Sequence, residues 1–379
     1  MIYYGKQSLN KDDVEAVLSV LQSNFLTQGS AVPEFENLLA SYTNSSNCTV
    51  VSSATAALHL LMTALGVETG DRVWTTPITF AASANCARYL GAEVEFVDID
   101  EKTFNICPQQ LQVRLEACPE ECLPKVLVVV HFCGNPADML TIKQVCDRFN
   151  VVIVEDASHA LGASSSFERV GSCTFSEASV FSFHPVKMIT TGEGGAITTN
   201  NPTLDHKLKL LRSHGITRSH SNEEFENKPW YYEQVALGYN YRMTDIQAAL
   251  GSSQLKRLDK FVSRRNDLAD VYKSNIDTNN VTLQLVCEGS LNSYHLMVAQ
   301  FENSSVRDKI FECLKGEGIT CNFHYIPIYR FPYYEKRYGV QNGLFPNSES
   351  YFSRSLTLPL YYDLPIGTIE KICGVLYKA

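Results

Sequence analysis

The chain has 379 residues, 45% of them hydrophobic and 19% charged, enough for one large domain and a smaller appendage. A formal net charge of -9, with no Lys/Arg block, argues against nucleic-acid binding, which needs a basic surface. No apolar run approaches the roughly 20 residues of a membrane span, so no membrane association is expected.

The opening "MIYYGKQSLNKDD" lacks the basic-then-apolar order of a signal peptide. Twelve cysteines include no C-x-x-C pair. Cys118 and Cys122 in "CPEEC" come nearest, without a matching second pair, so no metal site is expected. A cytoplasmic protein with reduced thiols is the natural reading.

In chain order, "KDDVEAVLSVLQSN" puts Val14, Val17, Leu18 and Leu21 on one helical face, and "VPEFENLLASY" forms a second helix. Then strands and helices alternate. "TVVSS", "RVWTTP", "EVEFVDI", "KVLVVVHF", "VVIVEDA" and "SVFSF" read as strands. "TAALHLLMTAL", "ASANCARYL", "PQQLQVRLEAC" and "TIKQVCDRF" read as helices. Several strands are continuous apolar runs, the mark of strands covered on both faces. The alternation predicts an α/β fold with an open, mostly parallel central sheet flanked by helices. From about residue 244, "MTDIQAALGSSQLKRLDKFVSRRNDLADVYKSNI" is a long helical pattern, succeeded by shorter signals. A large domain over 1–243 and a small C-terminal α+β domain over 244–379 are expected.

In open α/β sheets, ligands sit beyond the carboxyl ends of the strands. The residues just past each apolar run are therefore informative. Ser53-Ala54-Thr55 opens a helix, whose free N–H groups suit a phosphate, though a simply capped helix has the same pattern. Asp156 ends a strand, where it either caps a turn or faces a cation such as the protonated pyridine nitrogen of a pyridoxal ring. Glu155 alternates to the other face. Phe80 is either core or the flat face against which such a ring lies. Lys187, in "SFHPVKMITTGEGGAITTN", lies just past a strand and before a glycine-rich turn. A sequestered amine there loses its proton more readily, and the neutral amine is the form that attacks an aldehyde. Ser182, five residues earlier, can reach the same phosphate as the Ser53–Thr55 turn.

These motifs, in this order, resemble the DegT/DnrJ/EryC1/StrS family of sugar aminotransferases. The likeness runs through "LTQG", "SSATAAL", "TTPITFAASAN", "FVDID", "GNPADM", "EDASHALGA", "RSHGI", "GYNYRMTDIQAALG", "HYIPIY" and "TLPLYYDL". "TTPITF", "SHALG", "SFHPVKMITT" and "HYIPIY" look most like the branch of pseudaminic acid biosynthesis that aminates UDP-linked 4-keto-6-deoxy-N-acetyl sugars. The resemblance implies a fold-type I enzyme using pyridoxal 5'-phosphate (PLP), with glutamate as amino donor and ping-pong transfer. Lys187 resembles the cofactor-bearing lysine and Asp156 the pyridinium partner. Phe80 matches the ring-stacking aromatic, and Ala54 and Thr55 with Ser182 match the phosphate cup. His159 falls near the ring oxygen, where a packed core histidine is the alternative. Asn240 in "GYNYR" matches a residue that reaches the other subunit's site, which implies a homodimer with shared active sites.

For the nucleotide-sugar the matching positions are Tyr4, Asn24, Phe25, Leu26, Thr27, Ser53, Phe323, His324, Tyr325 and Ile326, with Ser182 and Asn240 shared. The branch carries a lysine or other basic residue where this chain has Asn24 and Ile326. Glu193 matches a motif position and reads as structural. Alternatives are an aminotransferase for another sugar, at C3 or on a dTDP or GDP carrier, and a catalytically silent PLP- or sugar-nucleotide-binding regulator. A PLP-dependent sugar dehydratase replaces the lysine with histidine, and Lys187 argues against it.

Overall fold

The computed structural model describes residues 1–218 and 228–377. Two helices open the chain, α1 (Lys11–Leu21) and α2 (Ala31–Thr43). An alternating series comes next: β1 (Asn47–Val51), α3 (Ala54–Ala64), β2 (Arg72–Thr75), α4 (Ala82–Arg88), β3 (Glu93–Phe96) and α5 (Pro108–Ala117). It continues as β4 (Val126–Val130), α6 (Met139–Asp147), β5 (Val152–Asp156), β6 (Ala178–Ser182), β7 (Gly195–Thr199) and α7 (Pro202–Arg212). The strands form one seven-stranded sheet in the order β1-β7-β6-β5-β4-β2-β3. Strand β7 runs antiparallel to its neighbours β1 and β6; the other pairings in this sheet are parallel.

Burial on both faces explains the unbroken apolar runs. In β4, Val126 and Val128 enter the core beneath α3, α4 and α7, while Leu127 and Val129 enter the core beneath α5 and α6. That alternation is the period of two of a pleated strand. All six expected strands form. Sequence reading did not mark β7, because "GAITT" holds a single large apolar residue.

A short ribbon of β8 (Ile216–Thr217) and β9 (Glu233–Gln234) precedes α8 (Asp245–Leu255) and α9 (Leu258–Asn275). The expected single long helix is therefore two. Asp13 of α1, buried, explains the break: it accepts hydrogen bonds from Ser253 Oγ at 2.7 Å and Gln254 Nε2 at 2.6 Å and pairs with Arg257. The chain turns where these three donors converge on one carboxylate.

The small lobe is an antiparallel sheet of β10 (Thr282–Leu283), β11 (Met297–Gln300) and β12 (Ser355–Leu358). It packs with α9, α10 (Ser304–Gly316) and α13 (Ile366–Leu376) around Leu268, Tyr272, Leu314 and Ile372. Between them lie α11 (Pro332–Tyr338) and α12 (Pro346–Arg354). Two segments sit across the expected 243/244 division. Ile2 bridges to Ile319 in the small lobe, and α8 packs on α1 and α2. The change of core falls within α9, between Val262 and Leu268.

Helix α1 forms where expected, but Val14, Leu18 and Leu21 of its apolar stripe are exposed, as are Phe25 and Leu26 beyond it. Its buried residue is Asp13. Among the described residues no helix is long and apolar enough to cross a membrane.

Candidate active site

A cavity of about 560 Å³ opens at the carboxyl edge of the large sheet. The ends of β1, β5 and β6 and the start of antiparallel β7 meet there, as the rule for open α/β sheets requires. Its lining includes Tyr4, Ser53, Ala54, Thr55, Phe80, Asp156, His159, Ser182, Lys187, Phe323, His324 and Tyr325. The structure thus brings together twelve of the residues singled out as cofactor or sugar contacts, and Glu193, read as structural, lines the cavity with them. Asn24, Phe25, Leu26 and Thr27 lie in an exposed loop after α1. Exposed Asn240 bridges to Ser213, and Ile326 is also exposed. None of these six lines the cavity.

At one end, Ser53 caps α3 by accepting the Ala56 N–H at 3.1 Å. The N–H groups of Ala54 and Thr55, at the first two helical positions, have no carbonyl one turn back to bond and make an anion site. Gly195 lets β7 pass against this turn: a Cβ there would lie 2.6 Å from Ala54 N and 2.7 Å from Ser53 O. The substitution Gly195→Ala is therefore expected to push strand and turn apart. Cofactor affinity, titrated by absorbance on the apoprotein, should fall by about tenfold or more; an unchanged affinity would show that the turn is not the phosphate seat.

Asp156 is 5% exposed. Its Oδ2 accepts from Ser83 Oγ at 2.6 Å and its Oδ1 from Ser158 N–H at 3.1 Å. These two donors fix its orientation. Neighbouring Glu155 points to the opposite face, where its Oε2 lies 2.7 Å from His131 Nε2. Because His131 Nδ1 accepts the Ala137 N–H at 3.0 Å, Nε2 carries the proton and donates it to Glu155.

Lys187 lies on the turn after β6, its N–H bonded to His184 O at 2.9 Å. Burial pulls its amine down from the ordinary 10.5 to about 8, with the Asp156 charge acting in the opposite sense. The threonines beyond it brace the loop: Thr190 Oγ1 donates to Phe183 O at 3.0 Å and Thr191 Oγ1 to Glu193 O at 2.6 Å. Gly192, directly after them, takes the left-handed turn at φ 80°.

Three imidazoles surround the amine. His159 and His295 are pushed well below the usual histidine range, and His324 to about 3, each by burial first and then by the Lys187 charge. All three are neutral at physiological pH. The Tyr325 hydroxyl and His159 Nε2 share a hydrogen bond of 3.2 Å, and His324 Nδ1 pairs with Thr357 Oγ1 at 2.9 Å. Phe80, 58% exposed, presents its ring to the cavity 6.1 Å from that of Tyr325.

Sequence reading missed Ser83, Asn322 and His295. Ser83 sits three residues past Phe80 on the next helix, and only its fold neighbour Asp156 gives it meaning. His295 and Asn322 come from the small lobe, with no local pattern to mark them.

The arrangement fits PLP. The α3 turn with Ser53 and Ser182 suits its phosphate, the exposed Phe80 face its ring, Asp156 its pyridinium nitrogen and Lys187 its aldehyde. The comparisons agree. Residues 7–377 match the DegT/DnrJ/EryC1/StrS aminotransferase family. The chain is 36% identical over 382 residues to the UDP-4-amino-4,6-dideoxy-N-acetyl-beta-L-altrosamine transaminase of Campylobacter jejuni, covering 100% of this chain and 97% of that one. Helicobacter pylori PseC, an aminotransferase involved in pseudaminic acid biosynthesis, superposes with a TM-score of 0.90 at 30% identity over 100% of this chain and 98% of that one. The sugar aminotransferase Spr1654 of Streptococcus pneumoniae, described as putative, gives 0.89 in its PLP form at 30% identity, covering 99% and 98%. The chain therefore belongs to the DegT/DnrJ/EryC1/StrS aminotransferase family and is a fold-type I, PLP-dependent enzyme.

Proposed function

We propose that the enzyme moves an amino group from glutamate to C4 of a UDP-linked 4-keto-6-deoxy-N-acetylhexosamine. The observation that carries this reading is the conjunction of Lys187, Asp156 and the α3 turn in one cavity, in a chain full-length similar to a transaminase of that name. When bound, PLP supplies an aldehyde that captures amines and a ring that withdraws electrons. Lys187 Nζ would hold its aldehyde and, as a free amine, would take the proton from the donor's α-carbon and deliver it to the cofactor's C4' carbon. Asp156 holds a positive charge opposite its carboxylate. Ser53, Ala54, Thr55 and Ser182 hold a phosphate, and the neutral His159 flanks the ring. The largely apolar walls from Tyr4, Phe80, Phe323 and Phe331 suit a deoxy sugar with an acetamido group.

The reading includes a homodimer with shared sites. The exposed stripe of Val14, Leu18 and Leu21, continuing into Phe25 and Leu26, supports it: such a stripe calls for a covering partner. Asn24–Thr27 and Asn240 then serve the other subunit's cavity. Among the described residues Lys187 is the sole lysine or arginine lining the cavity, so a diphosphate also calls for charge from elsewhere. Twelve free cysteines accord with a reducing, cytoplasmic location.

The test is a panel of UDP-, dTDP- and GDP-linked 4-keto sugars incubated with glutamate and the loaded enzyme, with products identified by mass spectrometry. Amination of the UDP sugar at C4 with release of 2-oxoglutarate is expected. Amination of a dTDP or GDP sugar alone would overturn the carrier, and no turnover of any member would overturn the transfer itself.

A further inference from the structure

His295 comes from the small lobe, yet it lines the cavity and is only 5% exposed. Its ring lies against that of His159, with centroids 4.4 Å apart and planes at 44°. Among the described residues no other ring neighbours His159 so closely: Phe132 stands at 6.0 Å and Tyr325 at 6.1 Å.

The backbone beneath His295 is held from several directions. Ser293 Oγ donates to His159 O at 2.8 Å and Ser293 N–H to Gly134 O at 3.1 Å. Asn266 Nδ2 donates to Asn292 O at 2.9 Å. Arg265, 3% exposed, donates through Nη1 to the carbonyls of Tyr294, His295 and Leu360 at 3.1, 3.4 and 2.9 Å. Gly134 lacks a Cβ that would otherwise lie 2.3 Å from Ser293 Oγ and 2.9 Å from His159 O. Segment 292–295 and the His159 turn are thus stapled together across the two lobes. A side chain mounted on such a base has little freedom to move away from its neighbour.

The His295 ring is placed by its backbone and its ring contact rather than by a hydrogen bond at Nδ1. Its Nδ1 is buried and without a hydrogen-bond partner. His159 Nδ1 is likewise buried and, among the described residues, without a partner, so no hydrogen bond through these two atoms holds the rings against each other. What the fold does satisfy is the ring contact with His159.

We propose that His295 is a positioning residue of the active site, whose ring backs His159 and holds it in the cavity wall where it flanks the cofactor. The proposal rests on the placement of PLP in this cavity. It assigns the small lobe a part in shaping the cofactor seat, so that the seat is complete only with the two lobes packed together.

Three variants of the full-length protein test it, read by absorbance titration of the apoproteins with PLP and by their thermal melting. His295→Phe keeps a ring face and removes both nitrogens. His295→Asn keeps a nitrogen near the Nδ1 position and removes the ring. His295→Ala removes both. The Phe variant is expected to bind PLP within about threefold of the parent, and the Asn and Ala variants about tenfold or more weakly. Should alanine prevent folding, the contrast between Phe and Asn still decides. Asn equal to the parent with Phe impaired would assign the role to the nitrogen and overturn the proposal. Equal affinity in all three would also overturn it. Failure of the parent to bind PLP would instead sink the cofactor placement.

Discussion

Replacing Lys187 with alanine is expected to eliminate the borohydride-trappable attachment of PLP to the chain and to lower turnover by about 10³-fold or more. No second amine stands in for it, because Lys187 is the only lysine among the described residues lining the cavity. The parent's behaviour with pH has a definite sign. Burial brings the amine down to about 8, and the neutral form is the nucleophile. The rate at which apoprotein captures the cofactor should therefore rise with pH through about 8 and level off above it. Stability of the apoprotein moves the same way. The folded value lies below the ordinary 10.5, so the unfolded chain binds more protons between the two, and stability rises with pH across that window. Below about 8 both states are protonated and the cost of the buried ammonium is fully present. Stopped-flow absorbance of capture and denaturant melts from pH 7 to 10 check both. An alanine variant that still traps PLP at the turn after β6, or a capture rate flat across that range, would remove Lys187 from its role.

How this site could be read in a sequence depends on where each residue's meaning resides. Lys187, Asp156 and the Ser53–Thr55 turn each come directly after an apolar run. In a parallel sheet that position alone places them at one edge, so a linear pattern sufficed. The strands were legible for the same reason: β4 is apolar on both faces because helices cover both. Strand β7 carries no such run; it was hidden by the glycine that its close approach to the α3 turn demands. The break between α8 and α9 was hidden because its cause, Asp13, lies some 240 residues away. Val14, Leu18 and Leu21 gave the right helix, but periodicity cannot say whether an apolar stripe faces a core or the outside. Ser83 and His295 became visible only through what they touch, Asp156 and His159. Neither contact has a signature in the local chain.

Asp156→Asn separates the two duties of that carboxylate. Asparagine keeps the shape and can still accept from Ser83 or Ser158, the donors now at 2.6 and 3.1 Å, but it carries no charge to hold a pyridinium nitrogen protonated. Both half-reactions should slow by about 10²–10³-fold, the scale of removing a preorganised electrostatic contact. Attachment of PLP to Lys187 should survive, because the amine, the α3 turn and Phe80 are untouched. Asp156 also works against burial in setting the Lys187 amine. Without its charge the ammonium is less favoured, so the midpoint for cofactor capture should move below about 8 and capture at neutral pH should become faster. The variant is thus expected to load more readily and turn over far more slowly, a pairing that general loss of structure cannot produce. Single-turnover measurements with glutamate, set beside the capture profile, resolve the two. Near-normal turnover would deny Asp156 its electronic role, and a midpoint displaced upward would deny its influence on the amine.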